Sequence, residues 1–206
     1  MPYLEEPQTM HHNSSKRREN IREKRYEEYA YVLDYLGEGH LDVQKQSYSK
    51  EAIVQALGAE LFTLLELVPK RGAKIAIHER IYIGVRERDK IDHVKRRVDY
   101  DALSATAKAE LPYAIERVIE DDSRRFLRFF NKAHPLTTRM HQLELLPGIG
   151  KKIMWEILEK RKKELFASFQ DLAEKTRIPD PKKTIAKRVL VELKGEDKYR
   201  IFTRRP

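Results

Sequence analysis

At 206 residues the chain can hold one large domain or two small ones, each with a core. Its 42 Lys and Arg against 33 Asp and Glu leave a formal net charge of +9, which favours polyanionic partners. There is no cysteine, so disulfides and thiolate metal sites are excluded; no run nears the ~18 apolar residues of a membrane span and no apolar signal core opens the chain, so the expectation is a cytoplasmic protein without a membrane partner.

Residues 1–28 read as a disordered basic arm. Pro2 and Pro7 interrupt a polar start, and Lys16, Arg17, Arg18, Arg22, Lys24 and Arg25 follow against Glu19 and Glu23. His11-His12 is too isolated for a metal site. Tyr29 to Leu36, rich in aromatic and β-branched residues, predicts the first strand, ended by Gly37-Glu38-Gly39. Short apolar runs follow at 52–57 and 61–68; each fits a strand, and together they also fit one helix. Ile75 to Ile77, Arg80 to Gly84 and Val94 to Tyr100 complete the set. Five or so short strands with frequent turn signals predict a small antiparallel OB- or S1-like barrel over residues 29–100.

Tyr29, Tyr31 and Tyr35 share one face of a regular first strand. Tyr31 and Tyr35 are candidates for stacking on bases, with a place in the barrel core or rim as the alternative. Arg86, Arg88, Lys90, Lys95, Arg96 and Arg97 form a candidate basic rim, with Arg86, Arg88, Arg96 and Arg97 its candidate nucleic-acid contacts, although Glu87, Asp89 and Asp92 offer pairing partners.

Near residue 100 the texture turns helical, and residues 101–206 predict an all-α domain. Ser104 is a candidate N-cap, and Pro112 is expected to begin a new helix. Arg124 to Ala133 forms the next, with Phe126, Phe129 and Phe130 in its core. His134-Pro135 breaks it, and Thr137 or Thr138 is expected to cap the following helix. His141 is expected to hydrogen-bond structurally, since nothing nearby completes a metal set with His134.

The centre of the chain is Leu143-Glu144-Leu145-Leu146-Pro147-Gly148-Ile149-Gly150-Lys151-Lys152-Ile153-Met154. Pro147 stops a helix, Gly148 and Gly150 relax the backbone, Ile149 plugs the helix pair, and Lys151 opens the next helix, where free N–H groups and the dipole favour an anion. The spacing resembles the helix-hairpin-helix motif, whose turn commonly holds a nucleic-acid phosphate; a simple glycine-capped hairpin is the alternative. The hairpin spans 143–157, and Trp155 is expected in its core. A degenerate second copy at 166–193 keeps Asp180 and Pro181 as helix-starting residues and adds Lys182 and Lys183, but lacks Gly-x-Gly. Lys198 to Phe202 fits a last strand, and Arg204-Arg205 a basic tail.

The motifs Phe62-Thr63-Leu64-Leu65-Glu66-Leu67, Ile81-Tyr82-Ile83-Gly84, Phe129-Phe130-Asn131-Lys132-Ala133 and His141 through Lys152 resemble an archaeal family of unknown function, domain family 655. The resemblance covers roughly residues 28 to 202. It implies an OB- or S1-like module followed by a helix-hairpin-helix module, and the family's usual label is predicted RNA- or nucleotide-binding.

The expected fold is therefore α+β, a small barrel followed by paired hairpins. The expected function is non-catalytic nucleic-acid binding, RNA more than DNA. Gly148, Ile149, Gly150, Lys151 and Lys152 would grip phosphate, and the barrel would hold strand or loop RNA. The alternative is a scaffold docking a protein partner in a ribosome- or repair-associated complex. An enzyme reading rests on Asp171, placed after the hairpin like a glycosylase acid, and the second hairpin already accounts for that residue. No Walker, Ser-His-Asp or carboxylate-metal pattern appears, so no cofactor is expected.

Overall fold

The computed structural model describes residues 26–37, 40–42, 47–49 and 51–204. The basic residues Lys16 to Arg25, the pair His11-His12 and Arg205 lie outside the described residues. The fold is α+β: five antiparallel strands curl into a half-barrel, followed by five helices among the described residues.

The sheet comprises β1 (Tyr29–Leu36), β4 (Ile53–Gly58), β5 (Leu64–Pro69), β6 (Arg80–Tyr82) and β7 (Ile91–Arg97), in the order β6-β1-β4-β5-β7. The short strands β2 (His40–Asp42) and β3 (Ser47–Ser49) pair separately. Both ambiguous apolar runs are thus strands; Gly58 and the turn after it prevent one helix. The expected strand at 75–77 is instead irregular, as Lys70, Gly72 and their neighbours form a turn before β6.

Strand β1 serves two cores because its pairing with β4 shifts register between Val32 and Asp34. Ala30 and Val32 face the inside of the half-barrel with Val54, Leu67, Ile81 and Ile91. Tyr31 and Leu33 face the helices. The bulge at Leu33 puts Asp34, rather than Tyr35, on the side of Tyr31, and it overturns the expected shared tyrosine face.

Helix α1 (Ala105–Asp121) crosses that helical face, and Leu111, Ala114, Ile115, Val118 and Ile119 are buried along it. Ser104 caps it by accepting from the Ala107 N–H at 2.9 Å. Pro112 lies inside α1 and does not begin a helix. Its exposed ring forfeits one backbone bond, while the stripe on both sides of it is buried without a break.

A polar hub ties this helix to the sheet. Gln55, only 2 % exposed, donates to the Ala102 carbonyl at 3.1 Å and accepts from the Ser104 N–H at 2.8 Å. The Ser104 hydroxyl donates to Asp34 at 2.5 Å.

Helix α2 (Ser123–Lys132) leads through the strands β8 (Pro135–Thr137) and β9 (Met140–His141) into a 3-10 turn at Gln142–Leu145. Helices α3 (Lys151–Lys163), α4 (Phe169–Lys175) and α5 (Pro181–Lys194) follow. Arg161 on α3 donates to the Phe130 and Ala133 carbonyls at the end of α2, at 2.8 and 2.7 Å. Asn131 and Phe166 exchange two hydrogen bonds of 2.9 Å each. These contacts explain the stretch Phe129 to Ala133 physically.

No final strand forms at 198–202. The N–H groups of Ile201, Phe202 and Thr203 are given to the Glu192 carboxylate at 2.9, 3.1 and 2.9 Å. No helix among the described residues is long and apolar enough to cross a membrane.

Candidate nucleic-acid interface

The segment before the central turn is a four-residue 3-10 helix, not an α-helix, and its cap is His141 rather than a threonine. The Leu143 N–H donates to His141 Nδ1 at 3.1 Å, and Glu144 accepts from the His141 N–H at 2.8 Å, completing a reciprocal cap. Burial, then the Arg161 charge, lowers the His141 pKa, which keeps Nδ1 available as an acceptor.

Leu146, Pro147, Gly148 and Ile149 then close a β-turn, with the Ile149 N–H donating to the Leu146 carbonyl at 3.0 Å. Pro147 presets the second position, and Gly148 at φ 84° occupies the third, the type II arrangement. Ile149 is 4 % exposed and plugs the core as expected. Gly150 is the N-cap of α3 with φ −85°, a conformation open to any residue. Its use is spatial: a β-carbon at Gly148 or Gly150 would meet nothing within 4 Å.

The first turn of α3 therefore has no side-chain cap, open space lies beside Gly148 and Gly150, and Lys151 and Lys152 are exposed next to it. Neither lysine has an acidic partner among the described residues. The arrangement can take an oxyanion, with donors from the backbone and charge from both lysines and the dipole.

Trp155 is 57 % exposed, a correction to its expected core position. Met154 and Ile157 fill the core from the opposite side of α3. At i+4 and i+3 from Lys151 and Lys152, Trp155 shares their exposed surface. The helical periodicity around Met154 and Ile157 carried that signal, and the apolar character of Trp concealed it.

The remaining candidates divide sharply. Lys182 pairs with Glu120, which raises its pKa, and Lys183 lies 3.7 Å from Asp180, so the start of α5 presents neutralised lysines. Arg88 donates to the carbonyls of Ile83, Gly84 and Asp92 and staples its loop. Arg96 Nε lies 2.7 Å from Glu66, which is buried. Arg86, Arg97 and Tyr35 stay exposed.

Tyr31 is a correction: it is 2 % exposed and its hydroxyl donates to Asp121 on α1. Burial first, then Asp121, push that phenol up to about 12. A ring held in this way cannot stack on a base. Asp171 accepts from the Ala167 N–H at 2.9 Å and pairs with Lys175 at 2.8 Å, the work of a helix cap.

A cleft of about 860 Å³ opens where the half-barrel meets α2 and the C-terminal segment. Glu27 and Glu60 meet on its wall. The Glu27 carboxylate accepts from the N–H groups of Glu60, Leu61 and Thr63, and Glu60 accepts from the Glu28 N–H at 2.9 Å. Both acids are thus committed to holding backbone.

The family model described as "Protein of unknown function (DUF655)" matches residues 26–204. A curated relative, "Uncharacterized protein MJ0038" of Methanocaldococcus jannaschii, is 45 % identical over 183 residues, which cover 88 % of this chain and 82 % of the relative. The crystal structure of Af1531 from Archaeoglobus fulgidus, described with the same family, is similar at a TM-score of 0.77 and 44 % identity, covering 86 % of this chain and all of that one.

Proposed function

The chain belongs to the DUF655 family, and from that shared fold we propose that it is a non-catalytic nucleic-acid-binding protein, with RNA the preferred ligand. In this reading the half-barrel is OB- or S1-like and residues 143–157 are a helix-hairpin-helix turn that grips a backbone phosphate.

One observation carries the reading. The turn from Pro147 to Gly150 delivers an uncapped helix start, open space at both glycines and two lysines without acidic partners. Elsewhere, most cations proposed for binding are occupied by acids or carbonyls. Phosphate held by backbone N–H groups conveys no sequence preference, so the ligand is recognised by its backbone.

The test is fluorescence anisotropy with labelled single-stranded RNA, structured RNA and duplex DNA at low and physiological salt. Binding at physiological salt that weakens steeply as salt rises is expected. Trp155, the sole tryptophan, provides a second signal beside the turn. A folded K151E/K152E variant with undiminished affinity, or binding confined to low salt and equal for all ligands, would overturn the reading.

A further inference from the structure

Resting on the nucleic-acid reading above, we propose that the groove between α2 and the C-terminal segment is a second contact site, which takes an unpaired stretch of nucleic acid. Its bases lie against Phe129 and Phe202, and its phosphates run along Arg124, Arg128 and Lys132.

The sequence of α2, Ser-Arg-Arg-Phe-Leu-Arg-Phe-Phe-Asn-Lys, contains no acid. Arg125 turns inward, its guanidinium 4.8 Å from the Phe126 ring centre and donating to the Ala59 carbonyl at 3.4 Å. The other three cations fall at i, i+4 and i+8, are all exposed, and have no acidic partner among the described residues. Like charges at this spacing repel along a helix, and Arg124 in the first turn also opposes the dipole. Only Lys132, in the last turn, is favoured by the dipole; the repulsion along the stripe and the placement of Arg124 both cost the helix that carries them. By contrast, Lys175, Lys182 and Arg188 all meet carboxylates.

The groove beside the stripe encloses about 390 Å³, within the range of small-ligand sites. Phe129 and Phe202, with ring centres 5.0 Å apart, form its apolar wall, and both are half-buried. Arg128 and Lys132 line the charged rim, and His134 and Gln142 close one end. The Gln142 side-chain carbonyl accepts from the His134 N–H at 3.0 Å, while its NH2 group has no protein partner among the described residues. That group is available to a base edge.

Cations with an aromatic wall fit single-stranded nucleic acid, whose base faces are open to stacking; a duplex keeps those faces covered. Successive stripe cations rise about 6 Å along the helix, a step suited to consecutive phosphates of an extended strand. Gln142 also opens the segment leading to Gly148, six residues on. Six residues span at most about 21 Å, so one short strand can reach both groove and turn.

The experiment uses the full chain and the triple variant R124Q/R128Q/K132Q, with thermal unfolding at or above the parent's temperature as the control for folding. Probes are a 12-nucleotide oligouridine and a duplex RNA, titrated by anisotropy across a salt series. The variant should lose at least tenfold in affinity for the single strand, and its salt slope should fall by about 2, three contacts at ~0.7 each. Duplex affinity should stay within twofold, and quenching of Trp155 at saturation should persist.

Unchanged single-strand affinity in the triple variant, with loss in K151E/K152E, would overturn the groove and leave the hairpin reading intact. Equal losses for strand and duplex would overturn it as a single-strand site. Displacement of oligouridine by polyglutamate at equal charge would assign the patch to an acidic protein instead. If the unmodified protein binds neither probe, the nucleic-acid reading itself fails.

Discussion

Glu27 and Glu60 clasp each other across the turn that joins β4 to β5. Each carboxyl holds backbone N–H groups from the other's segment: Glu27 takes those of Glu60, Leu61 and Thr63, and Glu60 takes that of Glu28. The start of the described chain is thereby fastened to the half-barrel, inside the stretch whose sequence reads as an arm.

The clasp makes stability depend on pH. Burial, and then the neighbouring Glu27, push the Glu60 carboxyl up to about 7 from the usual 4.5. The folded state thus holds its proton more tightly than the unfolded state. The stabilisation is full below pH 4.5 and is lost as pH rises through about 7. The melting temperature should fall between pH 5 and 8, and Glu60→Gln should flatten that fall. Parallel curves for the two proteins would refute the account.

Gly58 makes room for the clasp. A β-carbon there would run into the carboxyl group of Glu27. Gly58→Ala should expel that side chain and destabilise by about 1–3 kcal/mol through the abandoned N–H groups. In a Glu27→Ala background the same change should cost little. A double-mutant cycle by denaturant unfolding measures the coupling, and additive effects would contradict it.

The two glycines of the central turn should behave differently. Gly148 sits at φ 84°, so Gly148→Ala should cost about 1–2 kcal/mol in backbone strain and lower the melting temperature. Gly150 has ordinary extended geometry and free space, so Gly150→Ala should stay within about 0.5 kcal/mol of the parent. Gly150→Val should also fold, and it should weaken ligand binding by blocking approach. Calorimetry with anisotropy separates the two effects.

Glu192 is fully buried beside Arg188, which is 3 % exposed, at 2.9 Å. It also accepts from three N–H groups and from the Thr203 hydroxyl. Glu192→Ala should cost about 3–5 kcal/mol by leaving a buried cation and several donors unmet. Replacing the pair with Met at 188 and Leu at 192 should recover part of that loss. Protease sensitivity near residue 200 would report release of the C-terminal segment, and an unchanged digestion pattern in Glu192→Ala would contradict its role.

Features decided by neighbouring residues were legible in the sequence. Ser104, Asp180 and Pro181 start helices as their chemistry demands, and Pro-Gly at 147 and 148 forms the turn that suits it. Features decided across the fold were not. Tyr31 finds Asp121 ninety residues away, and no alternation pattern reveals the bulge at Leu33. Arg88 looks like a free cation until Ile83 and Gly84 turn their carbonyls toward it. The stretch 198–202 has strand composition, but the buried Glu192 carboxylate takes the N–H groups of Ile201 and Phe202 that a strand would use. Pro112 reads as a helix start, yet it lies inside α1 because one lost hydrogen bond weighs less than a continuous buried stripe. Among the candidate site residues, the turn geometry and the exposed lysines beside it were legible; the exposure of Trp155 and the stripe on α2 required the packing to be known.

The hub of Asp34, Gln55 and Ser104 has one more consequence. It welds the half-barrel to α1, and a single apolar cluster runs from Leu33 and Leu57 through to Ile149 and Val189. The molecule is therefore a gauge of fixed length rather than two beads on a string. On the proposed function, a ligand seated on the turn at Pro147 to Gly150 would present its remainder to the other surfaces at a separation set during folding. No slack has to be taken up, so avidity should rise in a step once an oligonucleotide is long enough to span two surfaces.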